Sequence, residues 1–142
     1  MANFLNESGR TDSAITLLKC AALRCRRRNY LLQLAAEFAL SRGDVRGSFH
    51  LCAQSIAAMP GLPGLQDTGR QRAFLFIAEL FEVFGDAAGA EWARRVQDVT
   101  CFDDDYAQGI RDSAARVGEP DRSAMVAEVP TIGARLRRLS PV

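Results

Sequence analysis

One lysine, Lys19, one histidine, His50, and one tryptophan, Trp92, occur in 142 residues, and the first two scarcities each close off some chemistry. A single histidine with four cysteines, Cys20, Cys25, Cys52 and Cys101, none of them in a C-x-x-C pair, does not make a zinc set of usual spacing. No metal or other cofactor is expected. Three of the cysteines fall on or beside apolar helical stripes, where a thiol acts as a small buried hydrophobe. A disulfide or redox role is the alternative. With arginine supplying every cation but Lys19, the formal net charge is only +1, so no global field points to nucleic acid or an anionic membrane. No apolar run approaches the ~20 residues of a membrane span, and the N-terminus lacks a charged-then-apolar signal pattern. A cytoplasmic protein without a membrane span is the expectation. Alternation of β type is also missing, which leaves an all-α chain.

What is present suffices for a real core: 48% of the residues are hydrophobic and 25% charged. The spacing predicts six to seven helices. The first starts at Asp12, a good N-cap, and carries Ile15, Leu18 and Ala22, running to about Cys25. The next spans about 29–42 and is apolar over so much of its circumference, through Leu31, Leu34, Ala35, Phe38 and Ala39, that neighbours should cover it on more than one side. After Gly43-Asp44, the residues Val45, Phe49, Cys52, Ile56 and Met59 recur at spacings of four and three. Pro60 to Gly64 stops that helix. A second strongly apolar helix is predicted over 70–84, with Phe74, Ile77, Ala78, Phe81 and Phe84. Gly85-Asp86 turns it into another, over 87–99, striped by Trp92, Val96 and Val99. Asp103 to Asp105 precede a helix carrying Tyr106, Ile110, Ala114 and Val117. Beyond Glu119 the pattern weakens. Met125, Val126 and Val129 suit a short helix, Pro130 and Gly133 interrupt, and residues 119–142 are expected to be a weakly structured basic tail on a single domain of residues 1–118.

The junction Gly-Asp-x-x-Gly-(Ser/Ala) thus occurs twice, at Gly43 and at Gly85, each time between two helical patterns. Glycine suits the left-handed position that ends a helix, and aspartate accepts the free amide hydrogens that begin the next. Gly9 precedes Gly43 by thirty-four residues, and along that offset Ala14, Leu18 and Ala21 fall on Ser48, Cys52 and Ser55. The step from Gly43 to Gly85 is eight residues longer, a surplus that fits the Pro/Gly loop. With Leu32, Ala36, Ala39, Gly43, Ser48, Cys52, Ser55 and Pro60 at signature positions, and Phe74, Ala78, Phe81, Gly85 and Ala90 in the following unit, the chain resembles the tetratricopeptide-repeat (TPR) proteins over roughly residues 9–100. It departs from them at Arg94 and Gln97, which stand where apolar or small residues are usual, and in lacking a proline after the third unit. A plain helical bundle is the alternative, since Gly-Asp pairs end helices in unrelated folds.

The resemblance implies a short α-solenoid of stacked hairpins whose first helices line a concave surface. Its lining would be Tyr30, Gln33, Glu37 and Leu40 in the central repeat and Arg72, Leu75, Glu79 and Glu82 in the next. Such a mixed apolar and acidic lining suits a helical or extended segment of another protein with some basic character. For each residue alone, packing or solvated surface is the competing explanation. The implied role is a non-catalytic adaptor or chaperone, and the small size resembles the TPR-like chaperones of type III secretion. A structural or oligomerising subunit is the alternative, motivated by Phe74, Phe76, Phe81 and Phe84 facing several directions on one helix, with a homo-oligomer as its consequence. RNA binding through Arg24 and Arg26 to Arg28 ranks third, because no interleaved aromatics offer a stacking platform and arginines gather at helix C-termini anyway. His50 has no acid or nucleophile at catalytic spacing. The Asp103 to Asp105 run lacks the ligand spacing of a calcium loop, and Gly-Asp-x-x-Gly lacks the lysine and strand of a phosphate loop.

Overall fold

The computed structural model describes residues 11–22, 28–58, 68–96 and 104–139. Among them are seven helices and no strand: α1 Thr11–Ala22, α2 Arg28–Ser41, α3 Val45–Ala57, α4 Thr68–Val83, α5 Ala87–Val96, α6 Asp104–Ala115 and α7 Asp121–Leu139. The chain divides into two compact units, Met1–Met59 and Pro60–Val142. Gly9, Arg24, Arg26, Arg27, the Pro60 to Gly64 loop, Val99, Cys25, Cys101 and Asp103 lie outside the described residues.

In the first unit α2 is the central element, and α1 and α3 both pack on it. Its surface explains why two neighbours come so close: Ala35, Ala36 and Ala39 are fully buried, and alanine keeps no side-chain bulk between helix axes. Against them α1 brings Ala14 and Leu18, and α3 brings Val45, Phe49, Cys52 and Ile56 on one face. The expectation of a sandwiched second helix is met.

Both hairpin turns are built alike. Gly43 and Gly85 take φ of 93° and 86°, a left-handed conformation in which any side chain is strained. Around each, the amide of the aspartate donates to a carbonyl five residues back, Asp44 to Ala39 (2.9 Å) and Asp86 to Phe81 (2.8 Å), while the glycine amide donates three back, to Leu40 and Glu82. This Schellman pair satisfies the last carbonyls of one helix. The aspartate Oδ1 then accepts from the amide of the second glycine, Gly47 at 2.9 Å and Gly89 at 3.1 Å, to cap the next helix. The second glycine is needed for space. A Cβ on Gly47 would stand 2.2 Å from Asp44 Oδ2, and one on Gly89 would stand 2.6 Å from Asp86 Oδ2 and 2.9 Å from the Phe81 ring.

In the second unit α4 is buried on every side, with Ala73 to Phe81 all inaccessible or nearly so. It packs on α5 and on α6, and α7 meets α5. Phe74, Phe76, Phe81 and Phe84 are therefore buried core residues. Phe74 meets the ring of Trp92 at 5.8 Å. Arg122 of α7 donates to the carbonyls of Ala115 (3.1 Å) and Ala114 (3.5 Å) at the end of α6, and its guanidinium lies 5.9 Å from the Phe84 ring centre. One arginine thus caps a helix and covers an aromatic face.

The expected weak tail is corrected by α7. It runs 19 residues, and Met125, Val129, Ile132 and Leu136 form a buried stripe at helical spacing. Neither supposed breaker stops it. Pro130 removes one hydrogen bond, the one to the Val126 carbonyl, and does so on an exposed face where Val126 itself is 47% accessible and water can take that bond. Gly133 is buried where the helix crosses Phe81 and Asp86, and there the absence of a side chain is what permits contact.

Candidate functional site

The eight positions of the expected lining separate into buried and accessible sets. Four of them, Gln33, Leu40, Leu75 and Glu79, are buried. Within the whole chain these have little surface left to offer a partner. Tyr30 is 42% exposed, Glu82 is exposed, and Glu37 and Arg72 are half-buried.

On α2, Gln33 donates from Nε2 to Glu37 Oε2 at 3.5 Å, while its Oε1 is buried with no hydrogen-bond partner. Glu37 also acts on α3. Burial first, and this carboxylate second, push the Cys52 thiol well above its ordinary range. A thiolate at this position would be desolvated beside a like charge, so Cys52 stays protonated and inert. Cys20, by contrast, is exposed. Alkylation of the native protein followed by peptide mapping is expected to modify Cys20 and spare Cys52. The pH dependence follows from the sign of the shift. Above about pH 8.5 an unfolded chain releases the thiol proton and the folded one keeps it, so stability falls with rising pH, by about 1.4 kcal/mol per unit for this one proton. Urea unfolding at pH 8 and pH 10, followed by circular dichroism, is expected to show a smaller loss in Cys52→Ala than in the wild type. Equal losses would contradict the assignment.

On α4, Arg72 lies over the Tyr106 ring at 5.3 Å, with Nε donating to Tyr106 Oη at 3.4 Å. One to two turns on, Glu79 is 4% accessible and is held by two arginines from other helices. Arg111 Nη1 of α6 lies 3.0 Å from its Oε2, and Arg94 Nη2 of α5 lies 3.5 Å from its Oε1. Arg94 also pairs with Glu82, and Arg111 with Gln108 at 2.8 Å. The acidic lining expected here is thus neutralised by the chain's own arginines. A buried carboxylate needs such partners, and losing one leaves a charge poorly compensated. Arg111→Ala is expected to cost about 2 kcal/mol, discounted from the fully buried case because the Arg111 side chain is itself 39% exposed. Glu79→Gln, which removes the charge, is expected to cost less. The reverse order in a urea titration would refute the pairing scheme.

Sequence reasoning missed Tyr106, Arg94 and Arg111 as the partners of this region. A signal for Tyr106 was present, since it follows Arg72 by thirty-four residues, the same period that joins Gly9 to Gly43. The contacts also fix a direction. Arg72 near the start of α4 meets Tyr106 near the start of α6, and Glu79 further on meets Arg111 further on. The two helices therefore run parallel.

Around the second hairpin turn, Glu82, Gly85, Ala87, Glu91, Arg94 and Arg95 line an open cleft of about 490 Å³. Its charges balance. Among the described residues no group of three or more His, Cys, Asp or Glu is placed to hold a metal ion, and no helix is long and apolar enough to cross a membrane. No protein-family profile, no curated protein and no solved structure matches the chain.

Proposed function

We propose that this chain is a non-catalytic protein-binding module, a short TPR-like stack of helical hairpins that holds a helical or extended segment of another protein as an adaptor or chaperone. The observation that carries the reading is the parallel pairing of α4 with α6, through contacts thirty-four and thirty-two residues apart, next to a hairpin turn used twice with the same hydrogen bonds. A repeat of this kind cannot bury its apolar face alone and does so against the next copy, which leaves first helices side by side along one face.

The contact surface on this reading is narrower than the sequence implies. In the first unit it is Tyr30 and Glu37 on α2; in the second, taken by itself, it is Arg72 and Glu82 on α4, with Tyr106 of α6 beside Arg72. The cations around Glu79 and Glu82 weaken the preference for a basic partner and favour one of mixed charge. A secreted client of a type III system is one candidate of this class. The phenylalanines that motivate a self-associating subunit are buried within the chain itself, which favours the binding module over that alternative.

The test is co-purification from the native cell, with wild type compared against Tyr30→Ala and Glu82→Arg, both checked for native circular dichroism. A partner held by the wild type in fixed stoichiometry and lost by at least one variant supports the reading. A monomer by light scattering that retains no protein, or retains the same proteins in every variant, overturns it.

A further inference from the structure

The two Gly-Asp turns are alike except in what covers them. In the first, Asp44 caps α3 with Oδ1, and its Oδ2 lies at the surface, 3.4 Å from the exposed Arg42. In the second, Asp86 caps α5 with Oδ1 in the same way, but its Oδ2 is buried and has no hydrogen-bond partner. What buries it is α7. A Cβ placed on Gly133 would stand 2.8 Å from Asp86 Oδ2, 3.2 Å from Phe81 Cε1 and 3.3 Å from Arg137 Nη1. Arg137 Nη1 is likewise buried without a hydrogen-bond partner. A carboxylate oxygen and a guanidinium nitrogen therefore flank the same glycine, both stripped of water and neither bonded. Their distances from that one point place them near enough to attract through the protein interior, without closing to a direct ion pair.

Each group alone is costly to bury, and opposite charge offsets part of that cost only while both are in place. The arrangement depends on one segment of α7, and Pro130 separates that segment from the rest. Its missing amide breaks the helix ladder at Val126, so the turns on either side are joined by one hydrogen bond fewer than elsewhere in the helix.

We propose that residues 130–139 form a strap, hinged at Pro130 and held across the second Gly-Asp turn by the attraction between the nearby opposite charges of Asp86 and Arg137, which opens while residues 121–129 stay docked. Opening returns Asp86 Oδ2 to water, the condition its twin Asp44 Oδ2 already enjoys, and frees Arg137. It also uncovers Ile132, Leu136 and the Phe81 edge that Gly133 covers. The charge attraction opposes this, and the apolar contacts of Ile132 and Leu136 oppose it by burial. The strap is thus held by two separable forces.

Hydrogen exchange read by mass spectrometry on the full chain, at low ionic strength, separates the segments. In the wild type the amides of 133–138 are expected to exchange about tenfold or more faster than those of 125–129. Asp86→Asn, which keeps the cap but removes the charge, and Arg137→Met are each expected to speed exchange of 133–138 about tenfold, and the double variant no further than either alone. Pro130→Ala restores the ladder and is expected to slow the strap without altering 121–129. Native Trp92 fluorescence in each variant shows that the second unit remains folded. Uniform protection across α7 in the wild type, or additive effects of the two charge variants, overturns the proposal. So does Pro130→Ala leaving the strap unchanged.

Discussion

Phe81→Ala is expected to lower the stability of the second unit by about 4 kcal/mol, followed by urea unfolding with the fluorescence of Trp92, the sole tryptophan and a buried neighbour of Phe74. The size of the effect comes from where the ring sits. Phe81 is fully buried, its carbonyl accepts the Asp86 amide in the hairpin turn, and its ring fills the space that Gly89 of α5 and Gly133 of α7 leave open. Glycine at both facing positions offers no side chain to swing into the vacancy from there, so the cavity stays large and the cost lies toward the upper part of the range for such truncations. The converse substitution acts on the same contact. A side chain at Gly89 would meet the ring and the Asp86 carboxylate together, an overpacking that costs about 1–3 kcal/mol. A Phe81→Ala loss below about 1 kcal/mol would mean that the three helices do not meet at this ring.

Ending the chain at Gly118 is expected to remove on the order of 5 kcal/mol or more from the second unit. The difference is α7. Its Met125, Val129, Ile132 and Leu136 are buried, and Arg122 at its start holds the last carbonyls of α6 and lies over Phe84. Without the helix, Phe81 and Phe84 face water and α6 loses its cap. Far-ultraviolet circular dichroism and Trp92 emission together separate the outcomes. If the shorter chain keeps native emission and the same urea midpoint, α7 is not part of the core.

The turn motif shows how a short local pattern carries several requirements at once. Gly43 and Gly85 are fixed by backbone conformation, Asp44 and Asp86 by the amides they cap, and Gly47 and Gly89 by the room those carboxylates take up. All of these act within a few residues, which is why the hairpins were legible from sequence. The Arg72–Tyr106 and Glu79–Arg111 contacts were not, since nothing local to Glu79 announces that two arginines from later helices will neutralise it.

The sequence alone determined the all-helical class, the two Gly-Asp hairpins and the apolar face of most helices. Each rests on helical spacing or on hydrogen bonds between residues close in the chain. Tertiary structure decided which of the polar residues on α2 and α4 are accessible and what neutralises Glu79. It also made a helix of residues that Pro130 and Gly133 seemed to interrupt. A proline costs a helix one hydrogen bond, and on an exposed face water replaces it. A glycine weakens a helix in isolation, yet it lets two helices touch, and only the position of the second helix tells which effect prevails.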